Sequence, residues 1–279
     1  MIRRLDGRLQ GAYRTPHRGS GMDFAGVRPY LDGDDARHID WNVTARLDEL
    51  QVREFTEDRE LTAWLVLDSS ASMSIGRPGR GKHDVLADLS LLLARLLGRG
   101  GNRVGAVLYD TGSVRIVRPG TGRNQALRIG REIARSPADR PPGTTDLAAM
   151  LQAVTSLAKR RSLIVVISDF IGTGDWERPL LRLAHRNEVV ALRVVDVADD
   201  AIPEVGLVVV EDAETGEQML VDSSDPWFRS RFRDGVDQRD AAVLAGMRRA
   251  GVPHHRVDTG TDLVDTLVTV VSETQRRRA

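Results

Sequence analysis

Residues 61–72 constrain this chain more than any other stretch. Leu61-Thr-Ala-Trp-Leu-Val-Leu67 is a mostly apolar run of strand length. Such a run suits a strand covered on both faces of a parallel sheet. Asp68-Ser69-Ser70-Ala71-Ser72 follows without a break. It sets one carboxylate and two hydroxyls at alternate positions, where the strand opens into a loop. Open α/β sheets bind ligands beyond the carboxyl ends of their strands. Hard oxygen donors at that edge suit magnesium, calcium or manganese rather than zinc or copper. The same residues also read as a capped turn, with Asp68 and Ser70 satisfying backbone donors.

Two further segments bear on that choice. Gly143-Thr144-Thr145-Asp146-Leu147 opens a helical pattern, and Ser162-Leu-Ile-Val-Val-Ile-Ser168-Asp169 is a second apolar strand that ends on an acid. In this order the three segments resemble the metal-ion-dependent adhesion site of von Willebrand factor A domains. Asp68, Ser70 and Ser72 match its D-x-S-x-S motif, Thr145 its loop threonine and Asp169 its strand-end aspartate. Thr145 is preferred to Thr144 because bacterial relatives commonly read Gly-Gly-Thr-Asp-Leu here. The resemblance implies that the hydroxyls and some of the acids bind the ion, the acids partly through water. Magnesium is the expected ion, with manganese or calcium as substitutes, because it tolerates retained waters and a borrowed ligand. Neutral hydroxyls leave such an ion under-neutralised, so a partner protein's Asp or Glu is expected to complete it. Asp146 reads as the N-cap of the following helix, with a supporting carboxylate behind Thr145 as the other reading.

Composition narrows the classes. The chain has 279 residues, with 40 basic and 40 acidic side chains. No global field therefore favours nucleic acid or a membrane surface. Cysteine is absent, which excludes disulfides and thiolate chemistry and agrees with a cytoplasmic location. Neither a run of 18 apolar residues nor a signal-peptide pattern is found, so a soluble, unanchored protein is expected. Nearly all the basic residues are Arg; Lys82 and Lys159 are the lysines.

Residues 1–60 have few apolar positions and little periodicity, and read as an irregular arm. Taken alone they could hardly bury a core. Phe24, Tyr30, Trp41 and Phe55 suggest an arm that packs on the domain formed by residues 61–279. Gly21-x-Asp23-Phe24, Val27-Arg28-x-Tyr30, Gly33-Asp34-Asp35-x-Arg37-x-Ile39-Asp40-Trp41 and Ala45-Arg46 resemble, nearly motif for motif, the bacterial family called domain of unknown function 58. That resemblance implies a chaperone-like AAA ATPase of the MoxR group as partner. Many relatives carry two membrane helices ahead of these motifs.

Downstream, helices are expected at 84–97, 124–135, 146–159, 176–185, 226–250 and 262–272, with a loop at 75–81. Strands are expected at 103–109, 113–117, 162–168, 188–195, 207–211, 218–221 and 252–257. This alternation predicts an α/β fold: a doubly wound, mostly parallel sheet with helices on both faces, von Willebrand A-like. His254 and His255 are neighbours on a strand, so they point to opposite faces and cannot chelate together. Asp32, Asp34 and Asp35 lack EF-hand spacing and read as a turn that Arg28, Arg37 and Arg46 pair with. Arg182, Arg186, Arg193, Arg229, Arg231, Arg233, Arg248 and Arg249 read as solvated faces.

Three functions compete. The first is a metal-dependent protein-binding module without enzymatic activity. The second is a magnesium phosphohydrolase or phospho-acceptor with Asp68 as nucleophile. It lacks a second Asp at position 70, and Asp196 stands where a receiver-type site would carry Lys. The third is a scaffold whose arm does the binding.

Overall fold

The computed structural model describes residues 23–56, 61–74, 76–77, 80–99, 101–110, 112–135, 144–172, 174–212 and 215–276. These fall into two compact units, one within Gln10–Glu60 and the other covering Leu61–Ala279.

In the first unit, β1 (Asp23–Pro29) pairs antiparallel with β2 (Gln51–Thr56), and α1 (Trp41–Leu47) lies between them in sequence. Asp40 caps α1 by accepting from the Asn42 and Val43 amides, and its other oxygen takes Arg53 Nε at 2.8 Å. Arg28 pairs with Asp34 and Glu54, and Arg37 with Asp35. The predicted pairing of arginines with the acidic turn is thus found for Arg28 and Arg37. The side chains of Phe24 and Phe55 lie outside the described residues, and Trp41 is 66% exposed.

The second unit is built on a six-stranded sheet. Its strands are β3 (Thr62–Asp68), β6 (Arg103–Asp110), β7 (Ser113–Gly120), β8 (Leu163–Ser168), β9 (Glu188–Val195) and β12 (His254–Asp258). They run in the order β12-β9-β8-β3-β6-β7, all parallel except β7, which returns antiparallel beside β6. After Thr62 every residue of β3 is buried, as is the whole of β8. That double-sided burial is why both strands read as unbroken apolar runs rather than alternating ones.

Helices cover both faces. α2 (Lys82–Arg99) packs on β3, β6 and β9, and α4 (Leu147–Leu157) on β3 and β6. α3 (Gly122–Ala134) lies against β6 and β7, and α5 (Glu177–Arg186) against β9. One core joins Trp64, Val66, Ile164 and Val166 to Met150, Val154, Leu180 and Met247. Leu65 and Leu67 alternate to the opposite face, where the Leu86, Leu89, Leu93 and Leu97 ladder of α2 is buried as expected.

Beyond β9 come α6 (Val197–Asp200), the antiparallel pair β10 (Leu207–Glu211) and β11 (Gln218–Asp222), and α7 (Pro226–Ala250). After β12 the chain ends in α8 (Leu263–Arg276), with Leu263, Leu267 and Val270 buried. The expected loop at 75–81 contains a two-residue pairing, β4 (Gly76–Arg77) with β5 (Arg80–Gly81). Among the described residues no helix is long and apolar enough to cross a membrane.

This order sets the site. From β3 the chain moves to β6 and β7 on one side, then crosses to β8 on the other. The carboxyl ends of β3 and β8 therefore flank the switch point, where an open sheet leaves a crevice.

Candidate functional site

Asp68 ends β3 and is fully buried. Its Oδ1 accepts the Ser70 amide at 3.0 Å, and its Oδ2 accepts the Ser168 hydroxyl at 2.6 Å. Ser168, the last residue of β8, also accepts the Phe170 amide at 2.9 Å. The hydroxyls of Ser70 and Ser72 are 3.0 Å apart, and both residues are buried. The turn reading of Asp68 is thus fulfilled, yet it leaves the motif's hydroxyls facing one another inside the protein. Ser69 is fully buried and its amide donates to the Tyr109 carbonyl at 2.8 Å.

Asp169 follows directly after β8 and is also buried. Its Oδ1 accepts the Ile171 amide at 2.9 Å. The next residue, Phe170, holds φ at 57°, a left-handed conformation that non-glycine residues adopt at a cost. Its buried ring packs on Trp176 with centroids 5.6 Å apart, and that packing fixes the turn. A Cβ on Gly172 would lie 2.5 Å from the Thr145 carbonyl, so the loop after Asp169 runs in contact with Thr145. Thr145 is fully buried and Thr144 is exposed. Gly143 lies outside the described residues. Asp146 is exposed and caps α4, accepting the Ala149 amide at 2.9 Å.

Burial first, and the charge of Asp169 second, push the Asp68 carboxyl well above the usual carboxylate range. Hydrogen bonds from Ser168 and Ser70 oppose that rise without cancelling it. Two acids sharing a buried site need a cation nearby. The residues present fit a hard divalent ion: every donor is oxygen, the hydroxyls are neutral, and each carboxylate oxygen is oriented by a hydrogen-bond donor.

One cation is already built in, and the sequence reading passed over it. Lys82, the first residue of α2, is fully buried. Its Nζ lies 2.9 Å from Asp169 Oδ2 and 3.0 Å from an Asp199 carboxylate oxygen. Burial works against the ammonium, but Asp169 and then Asp199 outweigh it and hold its pKa above the ordinary lysine value. Asp199 belongs to α6, where it forms a capping box with Asp196. The signal for Lys82 was its type: one of two lysines among 40 basic residues.

Arg193 corrects a second reading. It is buried rather than on a solvated face. It donates to the Asp169 carbonyl at 3.3 Å and pairs with Asp240. His254 and His255 sit half-buried on the edge strand β12, and burial lowers the pKa of His254.

Comparison with known proteins agrees with this architecture. The proteins Rv1480 of Mycobacterium tuberculosis and Mb1516 of Mycobacterium bovis are each 36% identical to the chain over 274 residues, spanning 98% of it and 86% of their own length. Among solved structures, an aerotolerance-related membrane protein from Bacteroides fragilis superposes with a TM-score of 0.50 at 16% identity, covering 76% of this chain and 97% of that one. The SpRpn10 VWA domain gives 0.42 at 14% identity, covering 75% and 94%. The family model described as protein of unknown function DUF58 matches residues 26–242. The chain belongs to that family, and its six-stranded sheet is the doubly wound, mostly parallel one expected from the sequence.

Proposed function

We propose that this protein is a metal-dependent protein-binding module, not an enzyme. A divalent ion, magnesium in the first instance, would be held by Ser70, Ser72 and Thr145, with Asp68 and Asp169 as the charged members. A partner's Asp or Glu would complete the site. The partner we propose, by resemblance to domain of unknown function 58, is a MoxR-type AAA ATPase, and a cytoplasmic setting belongs to the same proposal. The observation that carries the reading is the pair of facing hydroxyls, 3.0 Å apart, buried beside two carboxylates at the switch point of the sheet. Buried polar oxygens need partners, and two neutral hydroxyls that bond each other still offer lone pairs to a hard cation.

The alternative, a phosphohydrolase or phospho-acceptor using Asp68, has less support. Position 70 carries Ser where such chemistry would want a second Asp.

Magnesium at about 100 times its dissociation constant stabilises a single site by about 2.7 kcal/mol. At roughly 2–4 °C per kcal/mol for a domain of this size, that amounts to about 5–11 °C in melting temperature. Wild type is expected to show the rise, and D68A and S70A to lack it. Capture of the ATPase partner is expected to be lost on chelation. An unchanged melting temperature with partner capture that survives both chelator and D68A would refute the proposal. Phosphatase turnover abolished by D68N would support the alternative.

A further inference from the structure

A lysine is an expensive choice at position 82. A fully buried ammonium loses its hydration. It also opens α2, and cations are disfavoured at the positive end of a helix. The chain takes Arg almost everywhere else, and only Lys82 and Lys159 break that habit. The surroundings explain the exception. Asp169 and Asp199 face each other across Nζ at 2.9 and 3.0 Å. A compact ammonium with three rotatable donors takes both carboxylates on a single nitrogen, whereas a guanidinium spreads its donors over a wider plane.

The backbone is built to deliver it. Gly76 has φ at 140°, and a Cβ there would lie 2.6 Å from Gly81 Cα and 3.3 Å from the Lys82 amide. The β4–β5 pair is thus pressed against the start of α2, where Lys82 turns inward. Asp84 holds the same start by accepting the Gly81 amide at 2.9 Å. On the far side Asp199 Oδ2 accepts the Asp196 amide, and Asp196 accepts the Thr259 hydroxyl at 2.6 Å. Lys82 is therefore held in place from both sides, directly behind a residue assigned above to the ion.

We infer that Lys82 is the specificity-determining residue of this site: its ammonium lowers the affinity for a divalent ion and makes the loaded site receptive to an outside carboxylate. The inference rests on the metal-binding reading above. A positive charge behind Asp169 repels the incoming cation, so the ion binds less tightly than the two carboxylates alone would hold it. The same charge makes the loaded site one unit less negative than it would be with a neutral residue at 82. A carboxylate then approaches a site that still lacks negative charge. Removing Lys82 is thus expected to move the two affinities in opposite directions, which a purely structural role would not do.

The test uses the full chain, manganese as the metal probe and acetate as the carboxylate probe. Free manganese is read by electron paramagnetic resonance, and acetate by water-proton relaxation of the manganese-loaded protein. K82Q is compared with wild type. Because K82Q leaves two buried acids facing each other, K82Q/D199N is also compared with D199N, and circular dichroism reports the fold of each. The expected result is manganese bound about 10–100-fold more tightly without Lys82, and acetate bound at least several-fold more weakly. Manganese affinity that is unchanged or weaker in both comparisons overturns the role of Lys82 and leaves the metal site standing. Manganese bound by none of the four proteins removes the metal reading and this inference with it.

Discussion

Asp68 is held by Ser168 and by the Ser70 amide, and still its carboxyl is pushed above the usual carboxylate range by burial and by Asp169. The sign of the pH effect follows. An unfolded Asp titrates near 3.9. Between that pH and the raised folded value the native state binds the extra proton, so this group's contribution to metal-free stability falls as pH rises through the window. A divalent ion favours the ionised form. Metal-induced stabilisation is therefore expected to grow as pH is raised from about 5 to 8, measured as the melting shift with magnesium across that range. A shift that is flat with pH, or largest in acid, would separate Asp68 from the ion. Ser168 is expected to matter nearly as much. S168A removes a buried hydroxyl that donates to Asp68 and accepts from Phe170. A loss of about 1–3 kcal/mol in urea unfolding is expected, together with weaker magnesium stabilisation near neutral pH. The ligand candidates could be read from the chain because each belongs to a short motif. Ser168 could not, and for Lys82 only its rarity as a lysine stood out, not its partners. Their partners lie 100 and 87 residues away, and neither pairing leaves a local trace.

Elements with their own punctuation were legible. Helix 226–250 is bounded by Asp225 as cap, Pro226 in the first turn and Gly251 in the left-handed conformation, all visible as residue types. The strands β3 and β8 announced themselves by uninterrupted apolar character. The four-residue α6 has no periodicity to read, although it supplies Asp199. α2 starts two residues ahead of the expected position, because a buried lysine breaks the apolar pattern that marks a helix. Contact between the Asp169 loop and the Thr145 segment was equally invisible, since it depends on a missing side chain. Gly172 admits the Thr145 carbonyl where a Cβ would meet it at 2.5 Å. G172A must push one segment away, at a cost of about 1–3 kcal/mol. If Thr145 contributes to the ion, G172A loses magnesium stabilisation as well as fold stability. A variant that is destabilised yet keeps the full magnesium shift would remove Thr145 from the ligand set.

Across the second unit, the site is tied to the end of the chain by two routes that meet at one turn. From Asp169 the contacts pass through Lys82 to Asp199 and Asp196, and then to the Thr259 hydroxyl. From the β4–β5 turn, Arg80 donates to the Thr259 carbonyl at 2.6 Å and to the Thr261 carbonyl at 2.9 Å. Thr259 and Thr261 lie between β12 and α8, so contiguous polar contacts run from Asp169 to the N-terminus of that helix. The von Willebrand A resemblance implies that the last helix shifts when the metal gains a ligand, and here there is a physical connection able to carry it. Contiguity alone does not establish coupling. Coupling between two sites is reciprocal in free energy, so it is measurable from either end. Hydrogen exchange in α8 is expected to change when magnesium and the proposed ATPase partner are both present, and to change less with magnesium alone. R80A removes one route without touching a proposed ligand. It is expected to keep the magnesium shift while the partner-induced change in α8 exchange falls by at least half. Exchange in α8 that ignores magnesium and partner in wild type would show that the two ends of this unit act independently. An R80A protein that responds like wild type would leave the Lys82–Asp199–Asp196–Thr259 contacts as the remaining connection.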